Sequence, residues 1–221
     1  MKNILCYGDS NTFGSIPGGG RYPYGVRWPG RLAGLLGADW HLIEEGMGGR
    51  TTVWEDPLEP GRCGIRYLPV ALCSHQPLDM VIVSLGTNDC KASFHAPAGL
   101  IAQGLGRILS CIQHHPYTTG RVPDVIVVSP IAIGEACDVL FPAFDHTSVE
   151  KARRLAPLFE RKRMPVPGCR PGGRPQQPGS SAHGSGRACR FGRCPGPPDP
   201  AGRGGPRRSI RPVCCRSVSR L

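Results

Sequence analysis

Short apolar runs alternate with longer amphipathic stretches along residues 1–161, and the two periods predict strands and helices of one α/β unit. Ile4–Tyr7 is the first predicted strand. A helix over Trp28–Leu36 stops at Gly37, and a second strand covers Trp40–Ile43. Met80–Leu85 reads Met-Val-Ile-Val-Ser-Leu, the unbroken β-branched character of a strand covered on both faces. Leu100–Ile112 is predicted helical, with Leu105, Ile108, Leu109 and Ile112 on one stripe, and Val125–Ser129 is the next strand. Ser148–Phe159 reads as a helix capped by Ser148, turning Leu155, Leu158 and Phe159 inward. Strands separated by helices predict a parallel sheet between two helical layers, a three-layer flavodoxin-like α/β/α fold. Such sheets bind their ligands at the carboxyl ends of the strands, so the turns there are where chemistry is expected.

The pattern stops near residue 161, and charge shows the same border. Of 27 Lys and Arg and 16 Asp and Glu, residues 1–161 hold 14 and 15, and residues 162–221 hold 13 and 1. The net charge of +11 therefore belongs to the last sixty residues and not to the α/β unit. Residues 162–221 also carry 11 Gly, 11 Pro and 5 Cys, with too few large apolar side chains to offset the entropy of ordering. A disordered basic tail is expected there. Its arginines lack interleaved aromatics, Phe191 being alone, so the alternative of nucleic-acid binding through this tail is expected only as non-specific, salt-sensitive binding. The unit before it is one domain by length, with room for a good core. Its six cysteines, Cys6, Cys63, Cys73, Cys90, Cys111 and Cys137, are scattered without metal-ligand spacing and read as small buried hydrophobes of a reducing compartment. Neither a metal nor another cofactor is expected. The apolar run at the N-terminus is too short for a signal peptide, and nothing later approaches a membrane span, so the expected location is cytoplasmic.

Three predicted strand ends carry candidate chemistry. The first runs into Gly8-Asp9-Ser10-Asn11-Thr12, where a serine directly after a buried strand is either an exposed nucleophile or the cap of the next helix; turn chemistry alone leaves both open. Glu44-Glu45-Gly46-Met47-Gly48-Gly49-Arg50 follows the second strand, with glycines that let backbone approach a substrate. Leu85-Gly86-Thr87-Asn88-Asp89 closes the third and offers an Asn carboxamide donor.

Ser, Gly and Asn in this order resemble the SGNH hydrolases, also called the GDSL esterase family. The blocks Val26-Arg27-Trp28, Ile43-Glu44-Glu45-Gly46, Arg50-Thr51-Thr52, Tyr67-Leu68-Pro69 and Gly86-Thr87-Asn88-Asp89-Cys90-Lys91 are most similar to its bacterial arylesterase and acyltransferase branch. The resemblance implies a serine esterase for small carboxylic esters that works through an acyl-enzyme and passes the acyl group to water or an alcohol. It implies Ser10 as nucleophile, with the Ser10 and Gly49 backbone amides and the Asn88 side chain as the oxyanion hole. It also implies a homo-oligomer. Asp9, Trp54 and Phe94 are the expected substrate-contacting residues, although the two aromatics fit plain packing equally well.

The family's fourth element, an Asp-x-x-His near the C-terminus that supplies the general base, does not occur in this chain. After residue 161 the histidine and the acid are His183 and Asp199, in the wrong order, and a Gly/Ser-flanked His183 is not expected to be held within reach of Ser10. Asp145-His146 is adjacent rather than spaced. The final strand and helix of the fold are therefore expected to be missing, and an impaired esterase or a catalytically dead binding protein is expected. A one-nucleotide frameshift just before Met164 accounts for charge, composition and missing motif together. Codons exist for Met164–Cys169 and Gly179–Gly186 that, read one nucleotide later, give a plausible strand and an Asp-x-x-His.

Overall fold

A computed structural model describes residues 1–161; the basic tail, with His183 and the expectations attached to it, lies outside the described residues. Four strands, β1 (Lys2–Gly8), β2 (Trp40–Gly46), β3 (Met80–Ser84) and β4 (Asp124–Val127), form one parallel sheet in the order β2-β1-β3-β4. The helices are α1 (Ser10–Phe13), α2 (Trp28–Leu36), α3 (Gly64–Ser74), α4 (Ala98–His114), α5 (Cys137–Leu140) and α6 (His146–Glu160). Alternate residues of a strand face opposite sides, and the two cores follow that rule. Leu5 and Tyr7 of β1 join Val81 and Val83 of β3 under α3, α4 and α6. Ile4, Cys6 and Ile82 point the other way, against Trp28, Leu32 and Leu36 of α2. This is the three-layer α/β/α arrangement.

Several boundaries differ from the sequence pattern for identifiable reasons. α3 is absent from the predicted elements because Pro69 sits inside it, and Pro removes a helical N–H; packing of Leu68, Ala71 and Leu72 into the core holds the helix together regardless. α6 is capped by Asp145, not by Ser148. The Asp145 carboxylate accepts from the Ser148 amide at 3.0 Å, and Ser148 answers by accepting from the Asp145 amide at 3.2 Å, a capping box with Ser148 in the third helical position. Its hydroxyl also donates to the Cys90 carbonyl at 2.7 Å, pinning α6 to the turn after β3. β2 runs three residues past its apolar part, because Glu44, Glu45 and Gly46 pair with Cys6, Tyr7 and Gly8. β4 starts one residue early and ends two early, at Val127. The cysteines are all free among the described residues, and Cys73 is exposed rather than buried. No described helix is long and apolar enough to cross a membrane.

Candidate active site

The three candidate strand ends stop at one level. Gly8 lies beside Gly46 on one side and Ser84 on the other, so the turns leaving β1, β2 and β3 emerge together. α1 then lies straight across these ends. A Cβ at Gly8 would collide with the Thr12 side chain and the Ser84 carbonyl, and one at Gly46 with the backbone of Thr12 and Phe13. Asp9 is the cap of α1, accepting from the Asn11 amide at 2.9 Å, which leaves Ser10 as the first helical residue instead of the cap. Ser10, Gly49 and Asn88 line one cleft of about 970 Å³.

Behind that cleft the loop after β2 is fastened from both sides. Gly49 has φ +75°, the left-handed conformation that favours glycine. Next to it, the Arg50 guanidinium is buried, donates to the Gly8 carbonyl at 3.1 Å and to the Glu45 carbonyl, and lies 4.3 Å from the Tyr7 ring centroid. Tyr7 in turn donates its hydroxyl to the Gly64 carbonyl at 2.7 Å. Asn88 donates from Nδ2 to the Arg50 carbonyl at 3.0 Å, so the turn after β3 is tied to the loop after β2. Asp89 adds a second tie. Its fully buried carboxylate accepts from the Thr52 amide at 2.9 and 3.1 Å and from the Thr52 hydroxyl at 2.5 Å. Burial pushes the Asp89 carboxyl up to about 6 despite the Thr52 bonds that oppose the rise. Burial raises Asp9 as well, against the pull of its Asn11 hydrogen bonds.

Three expected substrate contacts are placed elsewhere. Asp9 is 1% exposed and is occupied as the α1 cap, because an ionisable group at that depth needs the Asn11 donors. Trp54 and Phe94 pack on each other, ring centroids 6.4 Å apart, and against the main core; neither is on the cleft wall. None of the described histidines lines the cleft, and His75 is instead paired with Glu45 at 2.8 Å. Among the described residues no His/Cys/Asp/Glu group is placed to hold a metal ion.

The GDSL-like lipase/acylhydrolase family matches residues 6–175. This chain belongs to that family. A carbohydrate acetylesterase from Sinorhizobium meliloti has a solved structure that is 39% identical, with TM-score 0.70 over 73% of this chain and 79% of that one. The native aryl esterase of M. smegmatis is 37% identical, with TM-score 0.65 over 73% and 79%. A putative arylesterase from Agrobacterium tumefaciens is 36% identical, with TM-score 0.68 over 73% and 78%. No curated protein sequence matches the chain.

The GDSL-like cleft has two walls that sequence reasoning missed. One is charged: Asp56, Glu59 and Arg62 from the loop between β2 and α3, with Lys91 from the turn after β3. The other is apolar, formed by the segment around α5 with Ile131, Ile133, Leu140, Phe141 and Phe144. Glu55-Asp56-Pro57-Leu58-Glu59 reads as an ordinary polar loop, and only its meeting with Lys91 in space gives its acids a role. The apolar wall left a weak trace, an Ile-rich and Phe-containing stretch between the last strand and the last helix.

Proposed function

We propose that the chain is a serine esterase for small carboxylic esters, with Ser10 as nucleophile and the Ser10 and Gly49 amides and Asn88 side chain as oxyanion donors. The observation that carries this reading is the cleft itself, which Ser10, Gly49 and Asn88 share at three level strand ends. In the proposed reaction the Ser10 oxygen attacks the ester carbonyl, its proton passes to a base, and the alcohol leaves from the tetrahedral oxyanion to give an acyl-enzyme. Water or a second alcohol then takes the acyl group and frees Ser10. Donors aimed at the oxyanion favour the charged intermediate over the neutral ester, which is how they speed the step. The aryl esterase and carbohydrate acetylesterase neighbours support this reading. A homo-oligomer is proposed as its assembly, to be read from its elution volume and mass by light scattering.

A second reading is favoured by one observation, that no described histidine reaches the cleft. Under it the chain binds esters without turning them over. Hydrolysis of p-nitrophenyl acetate by this chain and by Ser10→Ala separates the two. Turnover that Ser10→Ala removes supports the esterase, and binding with no Ser10-dependent turnover supports the second reading. Turnover that Ser10→Ala leaves intact defeats the assignment of the nucleophile.

A further inference from the structure

Arg50 is tied to each of the three strand ends that carry the proposed oxyanion donors, yet it does not line the cleft. Its amide donates to the Met47 carbonyl at 3.2 Å and closes the turn Met47-Gly48-Gly49-Arg50, in which Gly49 takes the third position at φ +75°. The orientation of the Gly49 peptide therefore depends on where Arg50 is held. The Arg50 carbonyl accepts from Asn88 Nδ2 at 3.0 Å, which uses one carboxamide hydrogen and leaves the other unused among the described residues. Its guanidinium reaches back to the sheet, where a single nitrogen, Nη1, donates to the Gly8 carbonyl at 3.1 Å and to the Glu45 carbonyl. Both carbonyls stand where the pairing of β1 with β2 ends, and Gly8 is two residues before Ser10.

The surroundings of the guanidinium set what it can do. Arg50 is 3% exposed, and its guanidinium carbon lies 4.3 Å from the Tyr7 and 5.4 Å from the Tyr67 ring centroid, so no ester reaches it. Its paired carboxylate oxygen, Glu45 Oε2, stands 3.9 Å away, beyond hydrogen-bond length, and Glu45 Oε1 is held by His75 at 2.8 Å. The oxygen partners of this buried cation are thus main-chain carbonyls. A cation so far out of water is costly to leave unpartnered, which pins both carbonyls to it and the two strand ends with them. We infer that Arg50 is the positioning residue of the oxyanion hole. Its guanidinium fixes the ends of β1 and β2, its main chain fixes Gly49 and Asn88, and the three donors keep one spacing. The inference rests on the esterase reading for the use of those donors. A tetrahedral oxyanion needs all three at once and a neutral ester does not, so loss of the Arg50 side chain acts mainly on the anion.

Phenylboronic acid reads the anion: Ser10 Oγ bonds to its boron, the hydroxyl proton leaves to buffer, and the adduct is a tetrahedral anion. It is titrated into the full chain, Ser10→Ala, Arg50→Met and Arg50→Lys. Phenyl acetate, the neutral counterpart, is titrated into Ser10→Ala alone and with either Arg50 substitution. Arg50→Met keeps the stem but loses the donors and the charge, and is expected to weaken the boronate about tenfold to a hundredfold while phenyl acetate binds within about twofold of before. Arg50→Lys restores a nitrogen for the carbonyls without the flat face against Tyr7, so its loss should be smaller but measurable. The chain has three asparagines, and isotope labelling of their nitrogen makes Asn88 visible by NMR. Its Nδ2 proton signals are expected to move in both Arg50 variants, while those of Asn3, at the other end of β1, stay. Boronate and ester affinities that fall together, a boronate affinity that neither variant changes, or an unmoved Asn88 signal overturns the inference. If Arg50→Met does not fold, Arg50→Lys decides by the same outcomes. A parent chain that binds the boronate no better than Ser10→Ala defeats the esterase reading instead, and the Asn88 signal then still decides whether Arg50 holds that carboxamide.

Discussion

β3 and β4 are neighbours in one sheet, yet Val81 and Val83 of β3 are fully buried while Ile126 of β4 is 44% exposed. The contrast continues into their loops. The turn after β3 is fixed by Asn88 to Arg50, by Asp89 to Thr52 and by Ser148 to Cys90. Beyond β4, Ile131, Val139 and Leu140 are 65%, 80% and 70% exposed. The proposed nucleophile and oxyanion residues thus all lie on the turns leaving β1, β2 and β3, and none comes from the C-terminal side, where the family's Asp-x-x-His belongs. A chain can keep the first without the second, as this sequence does.

The sharpest way to test that independence is to restore the missing element. A gene corrected by one nucleotide before codon 164 is expected to encode an Asp-x-x-His and to hydrolyse p-nitrophenyl acetate about six orders of magnitude faster than the present chain, the usual cost of losing a triad member. Ser10→Ala in the corrected chain should return it to the uncorrected level. Equal turnover with and without the correction would mean that a base already serves Ser10, and the contrast between the two sides would collapse.

In the corrected chain, Asn88→Ala is expected to lower kcat about 10²- to 10³-fold with KM little changed, the signature of a donor used in the transition state. Because Asn88 Nδ2 also binds the Arg50 carbonyl, Asn88→Asp serves as a control that keeps the volume but loses the donor. If the present chain and Asn88→Ala bind an uncleaved ester equally, the tie to Arg50 is not what shapes the cleft.

Most of this framework was legible in the sequence because it is local. Period and composition identified β1, β2, β3 and the inward face of α4, and glycine-rich turns marked the strand ends. What escaped depends on meetings between distant residues. Pro69 argues against a helix until the burial of Leu68 and Leu72 is known. Ser148 looks like a cap because the capping box partner, Asp145, lies three residues earlier and competes with it. Trp54 and Phe94 look like pocket walls because aromatic residues beside loops suit both a pocket and a core, and pairing across 40 residues of chain decided for the core. Arg50 was visible only as part of a block, while its position over Tyr7 needs the register of β1 against β2.

Stability separates the two sides more gently than catalysis. Ile108→Ala, at a fully buried position of α4, is expected to cost about 2–5 kcal/mol, whereas Ile126→Ala on β4 should cost under about 1 kcal/mol. Urea unfolding of each variant reads the difference. Similar losses would show that β4 is covered in solution as fully as β3.

The smallest expected effect is a pH dependence on the ordered side. Folding raises the Asp89 carboxyl to about 6 from the ordinary 3.8, so between those values the folded chain holds more protons than the unfolded one. Stability from this group is fully present below about 3.8 and is lost as pH rises through about 6. The loss is moderated because the Thr52 amide and hydroxyl stay with the carboxylate and offset part of its desolvation. Asp89→Asn removes the titration while its amide oxygen still accepts from the Thr52 amide. Thermal unfolding at pH 4, 5, 6 and 7 should therefore show the variant gaining on the parent chain as pH rises, most steeply below pH 6. Asp9 rises as well and its charge is one of the causes that raise Asp89, so the difference between the two proteins reads Asp89 together with that coupling. A difference that stays flat from pH 4 to 7 would assign the titration to another group, and would leave the Asp89–Thr52 tie as a hydrogen bond whose strength does not depend on pH.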